Sequence, residues 1–569
     1  MINLVKNSPH VNRLPALFPA VTGGTFWLAL TALGLVLIAS TWSILAQPQQ
    51  LLAGTRALLA WPGLGSSTLL SLWSGIASTL ISIWLAKQLV GWMIAGRLGW
   101  LNRLLSPILA VPHAAVSTAV VLTLAPSGWL FKLISPWATG WTSPPGLHLI
   151  GDPAALALIV GLVVKEVAFL LFVFAGAVKA LGLRQHFAAG MTLGLTPAAA
   201  YDRLCWPHIW KRGRVSVVLV LVYAIGNVEM ALILGPNLPP LLGPRVLNLF
   251  ADADPQIAPQ ALPAALWLAL VSAISAIVIV GLGDFWQRHQ ARRAADGPQA
   301  SWLFEVARWT GLVGSLFVLA LFWLGQIATT LTALSARRWP FSEPLPNLDW
   351  SAFSTRLVDA LPAAGTSLAL AVLACLLALV PSLLCLEHLW QRGHRALPRW
   401  LSALLISILL VPQLLMFIAM YRASLSIGLG PSFSMVLFGH MVVTFAYSFL
   451  MMAESYLKFP NTLLTQAASL GLPPWRQFFQ VRLPVMLPQI ALVAAVAVSV
   501  SLALYVPTLV LGGGRVETLL SESVHFTVNW QRAAMASFAL LQTLLAFAFF
   551  AAALLVPVLL FHNRKGVGL

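Results

Sequence analysis

The sequence predicts an all-α polytopic membrane protein, with about twelve transmembrane helices arranged as two tandem, parallel six-helix repeats. Three observations predict it. Charge content is too low for a water-facing surface, twelve apolar runs have membrane-spanning length, and the chain repeats itself internally.

Of the 569 residues, 59% are hydrophobic and only 9% charged, with a mean hydropathy of +0.88. A soluble chain carries about 25% charged residues, so lipid must be the solvent for most of this surface. The net charge of +17 does not indicate nucleic acid as a partner. Its basic residues sit in short links between apolar runs and form no basic groove interleaved with aromatics. Cys205, Cys375 and Cys385 form no CxxC pair; they read as small apolar fillers, with no disulfide framework and no metal site expected. Lys6 and Arg13 precede a first apolar run from 26 to about 45, long enough to span and longer than a signal-peptide core.

Apolar runs fall near 26–46, 68–88, 104–125, 155–178, 215–236, 262–283, 311–334, 361–386, 400–424, 433–455, 488–512 and 535–561. They lack the alternation of barrel strands, and helices are the other way to satisfy backbone groups in lipid. With the N-terminus inside, 22 Lys and Arg fall on cytoplasmic segments and 9 on outer ones, with Lys165 and Arg308 in or near spans. Basic residues favour the cytoplasmic side, so both termini are expected inside a bacterial inner membrane. Trp129, Trp137, Trp141, Trp339 and Trp350 sit beside span ends, where indole rings anchor at the interface.

The chain echoes itself at a constant offset, the one that carries Gly194 onto Gly471. In that register Leu193-Gly194-Leu195 matches Leu470-Gly471-Leu472, Pro207 matches Pro484, and Leu234-Gly235 matches Leu511-Gly512. The segment ILAVPH at 108–113 recurs as ILLVPQ at 408–413. Residues 1–287 and 302–569 are therefore expected to be two copies of one unit, divided by a polar cytoplasmic linker at 288–301. Both copies run the same way through the membrane, which makes the repeat parallel.

The repeated link after each fourth span has unusual content. In the first copy Ala188, Ala189 and Gly190 are small, Gly194 interrupts the helix, Thr196 is placed to cap the next one with Pro197 in its first turn, and Pro207 is expected to end it. In the second copy Gln466 and Ala467 lead to Gly471, Pro473 begins a short helix, and Leu483-Pro484 is expected to close it. The step from Gly194 to Pro207 equals that from Gly471 to Pro484. A short helix hinged on glycine offers a rigid knob that a cytoplasmic partner can grip.

These two links resemble the EAA loop of binding-protein-dependent ABC importer permeases, E-A-A-x3-G-x9-I-x-L-P. Gly194 with Leu204-Cys205-Trp206-Pro207 matches its second part, and Gly471 with Val481-Arg482-Leu483-Pro484 matches it more closely. The resemblance implies a type I importer permease fold and coupling helices seated on two ABC ATPase subunits. It also implies a periplasmic solute-binding protein. The chain departs from the pattern where the loop glutamate belongs, which reads Ala188 and Thr465, so no salt bridge from that position is carried over. The segment SLALYVPTLVLGGGRVETL at 501–519 is similar to the branch handling thiamine, ferric iron and related solutes. The chain has no G-x4-GK[ST] phosphate loop. It is therefore expected to be a transport subunit rather than an enzyme, with no cofactor of its own and ATP-Mg held by its partners.

Ionisable groups inside spans tend to face protein or water. Asn227 and Glu229 in the fifth run, and Tyr505 and Thr508 in the eleventh, occupy matching parts of the two copies and are the candidates for the translocation path of a small solute. Lys165 and Glu166 read as structural ion-pairing groups. His113 and His440 read as satisfied structural residues. The alternative reading is a twelve-helix secondary transporter driven by an ion gradient.

Overall fold

The computed structural model describes residues 14–96, 99–293, 302–336, 339–341, 343 and 345–561. Lys6, Arg13, Arg337, Arg338, Arg564, Lys565 and most of the expected linker lie outside the described residues. The chain runs α1 (Leu14–Leu45), α2 (Pro48–Ala60), α3 (Leu64–Ile94), α4 (Gly99–Ala110), α5 (His113–Leu124), α6 (Trp129–Ile134), α7 (Leu156–Ala180), α8 (Leu183–Thr192), α9 (Pro197–Ala200), a π turn (Tyr201–Cys205), α10 (Trp206–Gly226), α11 (Glu229–Leu234), α12 (Leu242–Ala251) and α13 (Ala261–Arg293). It continues as α14 (Trp302–Ala333), α15 (Trp350–Gln391), α16 (Arg399–Leu410), α17 (Gln413–Ser426), α18 (Phe433–Leu457), α19 (Asn461–Ser469), α20 (Pro474–Gln477), a second π turn (Phe478–Arg482), α21 (Leu483–Leu502), α22 (Tyr505–Gly512), α23 (Leu519–Val528) and α24 (Arg532–Phe561).

The internal repeat is carried by the helix boundaries themselves. In the register that sets Gly194 on Gly471, α7 falls on α18, α9 on α20, the first π turn on the second, and α12 on α23, end for end. A side-chain bond repeats as well. Ser71 Oγ accepts the amide of Leu242 at 2.8 Å, and Ser367 Oγ accepts that of Leu519 at 2.8 Å. Each hydroxyl satisfies the first free N–H of α12 or α23, which would otherwise be orphaned in an apolar setting.

Among the described residues, ten helices are long and apolar enough to cross a membrane, or eleven if α16 and α17, bent by 95°, count as one span. The remaining expected run, the fifth at 215–236, is where sequence and structure differ. Its helix α10 begins earlier, carries Lys211, Arg212 and Arg214 in its first half, and stops at Gly226. Four expected spans are broken in matching places. Pro112 and Pro412 separate α4 from α5 and α16 from α17. Asn227-Val228 and Ala503-Leu504 separate α10 from α11 and α21 from α22. Proline has no N–H to donate and clashes with the preceding turn, which accounts for the first pair of breaks.

Small residues decide which helices touch. Ser67, Ser71, Ser74, Ser78 and Ser82 are buried along α3, and a Cβ at Gly75 would lie 2.5 Å from Ile225 Cγ1 on α10. Such a face lets backbones approach closely, the usual basis of helix association in lipid. The first helix of each copy packs on the other copy. Thus α1 lies against α15 and α17, while α14 lies against α3 and α5. Phe26 meets His388 with ring centroids 5.1 Å apart, and a Cβ at Gly325 would reach Ala119 Cβ at 2.9 Å. The two copies therefore interlock.

Candidate functional site

Both repeated links form the hinged knobs that their glycines predict. Gly194 has φ +81° and Gly471 φ +77°, left-handed values that glycine adopts without a steric penalty. Thr196 Oγ1 accepts the amide of Ala199 at 3.3 Å, and Pro197 opens α9. Ala188, Ala189 and Gln466 are exposed, whereas Gly190 and Ala467 are buried beneath them and Pro473 is half-buried. A Cβ at Gly190 would come within 2.7 Å of Leu204 Cδ1, so close packing accounts for glycine where the loop pattern has alanine. At the tips, Leu193 and Leu470, which correspond in the repeat, are 80% and 82% exposed.

The prolines that were expected to end the short helices do not. Pro207 and Pro484 are the second residues of α10 and α21, and the chain stays helical from α9 and α20 through the π turns. A π turn already pairs residues five apart, and a proline in the first turn of the next helix gives up an N–H that has no partner there. Each knob is thus joined to a membrane helix through one continuous, locally widened helix. Leu483 is half-buried at that junction.

The path candidates lie at the broken spans. Asn227 Oδ1 accepts the amide of Ala231 at 3.0 Å, while its Nδ2 is buried without a partner. Gly243, the second residue of α12, seats this break, since a Cβ there would stand 2.3 Å from the Asn227 carbonyl oxygen. Glu229 begins α11 and its Oε1 accepts the Tyr223 hydroxyl at 2.7 Å. The Tyr223 ring packs on His113 at 4.5 Å, and His113 Nε2 lies 3.9 Å from Glu166 Oε1. Tyr223 is within electrostatic reach of both Glu229 and Glu166, Tyr447 of Glu166, and Tyr505 of Glu229. Of these tyrosines Tyr223 bonds a buried carboxyl directly, that of Glu229. His113 of α5, Glu166 of α7, Tyr223 of α10 and Glu229 of α11 form one chain of contacts, and α5 and α11 pack on α23 of the second copy there, at the seam between the copies.

Thr508 is not part of that cluster. His440 bridges Ser501 Oγ at 2.8 Å and Thr508 Oγ1 at 3.0 Å, so both ring nitrogens are used. Lys165 and Glu166, adjacent in sequence, diverge. The Lys165 ammonium donates to the carbonyls of Ile108 at 2.8 Å, Leu109 at 3.0 Å and Val111, where the break at Pro112 leaves the end of α4 unsatisfied. Its partners are backbone groups rather than an acid on another helix, which corrects the expected ion pair. A cation at a helix C-terminus also answers the helix dipole. His113, Tyr223, Glu166 and Tyr447 join the cluster although the sequence did not place them on the path. Their only sequence signal is polarity inside an apolar run. Glu454, near the end of α18, pairs with Arg212 and Lys458, each at 2.8 Å, and is exposed.

No protein-family model matches the chain. Aligned over 540 residues, it is 27% identical to the inner membrane ABC transporter permease protein YnjC of Escherichia coli (strain K12), over 95% of this chain and 94% of that protein. The alignment crosses both copies and both knobs, and with the apolar helices it supports a multi-pass inner-membrane protein. Over nearly its whole length, this all-helical membrane chain is similar to an ABC transporter permease.

Proposed function

We propose that the chain is the membrane-spanning permease subunit of an ABC importer. It forms the path for a small solute, and two separate ATPase subunits bearing ATP-Mg seat on its two knobs at the cytoplasmic face. The observation that carries this reading is the pair of knobs, each an exposed leucine on a left-handed glycine ahead of a π turn, at equivalent positions of the two copies. An exposed leucine on a rigid tip suits an apolar socket in a partner. With Ala188 and Thr465 at the loop glutamate positions, shape rather than a salt bridge supplies the fit. ATP-driven closure of the ATPases moves the knobs, and the two copies rock to open the seam outward and then inward. A periplasmic solute-binding protein delivers the solute.

The seam supports a cationic solute. Glu166 and Glu229 place two carboxylates there against one ammonium, and the donors of Lys165 are spent on carbonyls. An acidic side chain within a membrane span is a ready partner for an entering cation, and tyrosine faces favour cations. Thiamine-like or ferric-iron-like solutes, which the resemblance of 501–519 suggests, would supply that cation.

Purification of the tagged chain tests the proposal. The expected result is co-purified ATPase whose hydrolysis rises with the solute-loaded binding protein, lost in the L193D and L470D variants. Transport by the lone chain in proteoliposomes under an ion gradient would instead establish the secondary transporter.

A further inference from the structure

Behind each knob the π turn is tied to the long helix of its own copy by an ion pair. In the first copy Lys87 of α3 meets Asp202, Nζ to Oδ1 3.0 Å, with the ammonium 5.4 Å from the Trp206 ring. In the second, Glu387 of α15 meets Arg482. Glu387 Oε2 also accepts the Tyr456 hydroxyl at 2.6 Å, and its Oε1 accepts Gln391 Nε2 at 3.0 Å. The Arg482 guanidinium lies 3.8 Å from the Trp390 ring.

The repeated Ser71 and Ser367 bonds set the register of α3 on α15. In that register Glu387 corresponds to Gly91, one helical turn beyond Lys87, and Arg482 corresponds to Cys205, at the far end of the π turn whose second residue is Asp202. The joint thus recurs one turn along with its polarity reversed, the helix supplying the cation in one copy and the anion in the other. Burial differs too, with side chains 20% and 16% exposed in the first joint and 1% and 4% in the second. Reversed polarity makes each turn attract its own helix and repel the other copy's. A partly exposed pair is more screened and compliant, whereas a buried, multiply bonded pair is stiff and costly to break. The helices so tied pack along the seam, α3 on α7, which carries Glu166, and α15 on α18, which carries His440 and Tyr447.

We propose that Lys87–Asp202 and Glu387–Arg482 are positioning pairs that deliver movement of the knobs to α3 and α15, and that the second is the stiffer and dominant joint. The proposal rests on the coupling role given above to the knobs. It is tested on the whole complex with its ATPases and binding protein in nanodiscs. One reading is the stimulation of ATP hydrolysis by the binding protein. The other is the vanadate-induced change in distance between spin labels at Leu147 and Leu429, exposed residues of the two copies. In E387Q and R482M, basal hydrolysis persists while stimulation falls about tenfold and the distance change is lost. In K87M and D202N the loss is smaller, about threefold. The exchanged double variant K87D with D202K recovers what D202K alone loses. Wild-type stimulation and distance change in E387Q and R482M would overturn the proposal. So would a D202K defect that the exchange leaves unrepaired, which also decides the matter if the buried variants do not assemble. L470D separates the two readings. If it stays fully coupled, the knob assignment itself fails, and if only L470D is defective, the joints alone are refuted.

Discussion

The Tyr223 hydroxyl donates to Glu229 Oε1 at 2.7 Å, across the turn that ends α10 and begins α11. The bond orients an acidic side chain at a break in a membrane span, where two short helix ends replace one continuous ladder. Removing the hydroxyl in Y223F leaves the Glu229 carboxyl without that donor and costs transport roughly fivefold to tenfold, about 1 kcal/mol, the net worth of an ordinary hydrogen bond. Removing the charge in E229Q abolishes uptake of a cationic solute while leaving ATPase assembly intact. Uptake in proteoliposomes beside co-purification measures both, and unchanged uptake in E229Q would remove Glu229 from the path.

His440 holds Ser501 and Thr508 with its two ring nitrogens in the apolar interior of the second copy. H440A leaves the buried Ser501 hydroxyl unpaired, while Thr508 keeps its bond to the Leu504 carbonyl, and opens a void, destabilising the protein by about 2–4 kcal/mol. Thermal unfolding in detergent checks this. H440Q, which can still donate and accept, loses about half as much.

Lys165 closes the end of α4 by donating to three carbonyls. K165M strands those acceptors in the membrane and is expected to cost about 3 kcal/mol or more, because each orphaned carbonyl carries its own desolvation penalty. K165R retains most of the stability. Urea or thermal denaturation of the purified permease distinguishes the two variants.

Gly243 rests against the Asn227 carbonyl, with no room for a methyl group. G243A pushes α12 off the break and is expected to destabilise by about 1–3 kcal/mol. By contrast, G471A meets no neighbouring atom but forces a side chain into left-handed backbone, costing about 1 kcal/mol locally. Its signature is weaker ATPase binding at nearly unchanged melting temperature, so measuring both separates packing from loop conformation.

Much of the architecture was legible because it depends on local chemistry. Apolar runs and the glycines at 194 and 471 act through hydration and backbone sterics, which a sequence shows directly, whereas the breaks at Pro112 and Pro412 fall inside runs that read as single spans. Helix ends were less legible. Pro207 and Pro484 look like terminators, yet they sit in the first turn of helices that continue through a π turn, and a π turn has no strong residue signature. The run at 215–236 concealed a break because its one mark, Gly226, is a residue that membrane helices tolerate inside a span, and no proline accompanies it.

By itself, the sequence determined that the chain is helical and membrane-embedded, that it is doubled, and where its two knobs hinge, since burial in lipid and backbone freedom follow from composition and neighbouring residues. Only the tertiary structure decided that the first helix of each copy clasps the other, that Glu166 turns to His113 while Lys165 turns to a broken helix, and that two joints of opposite polarity stand behind the knobs. Those outcomes depend on which helices fit face to face, and packing between residues far apart in the chain leaves no periodicity along it.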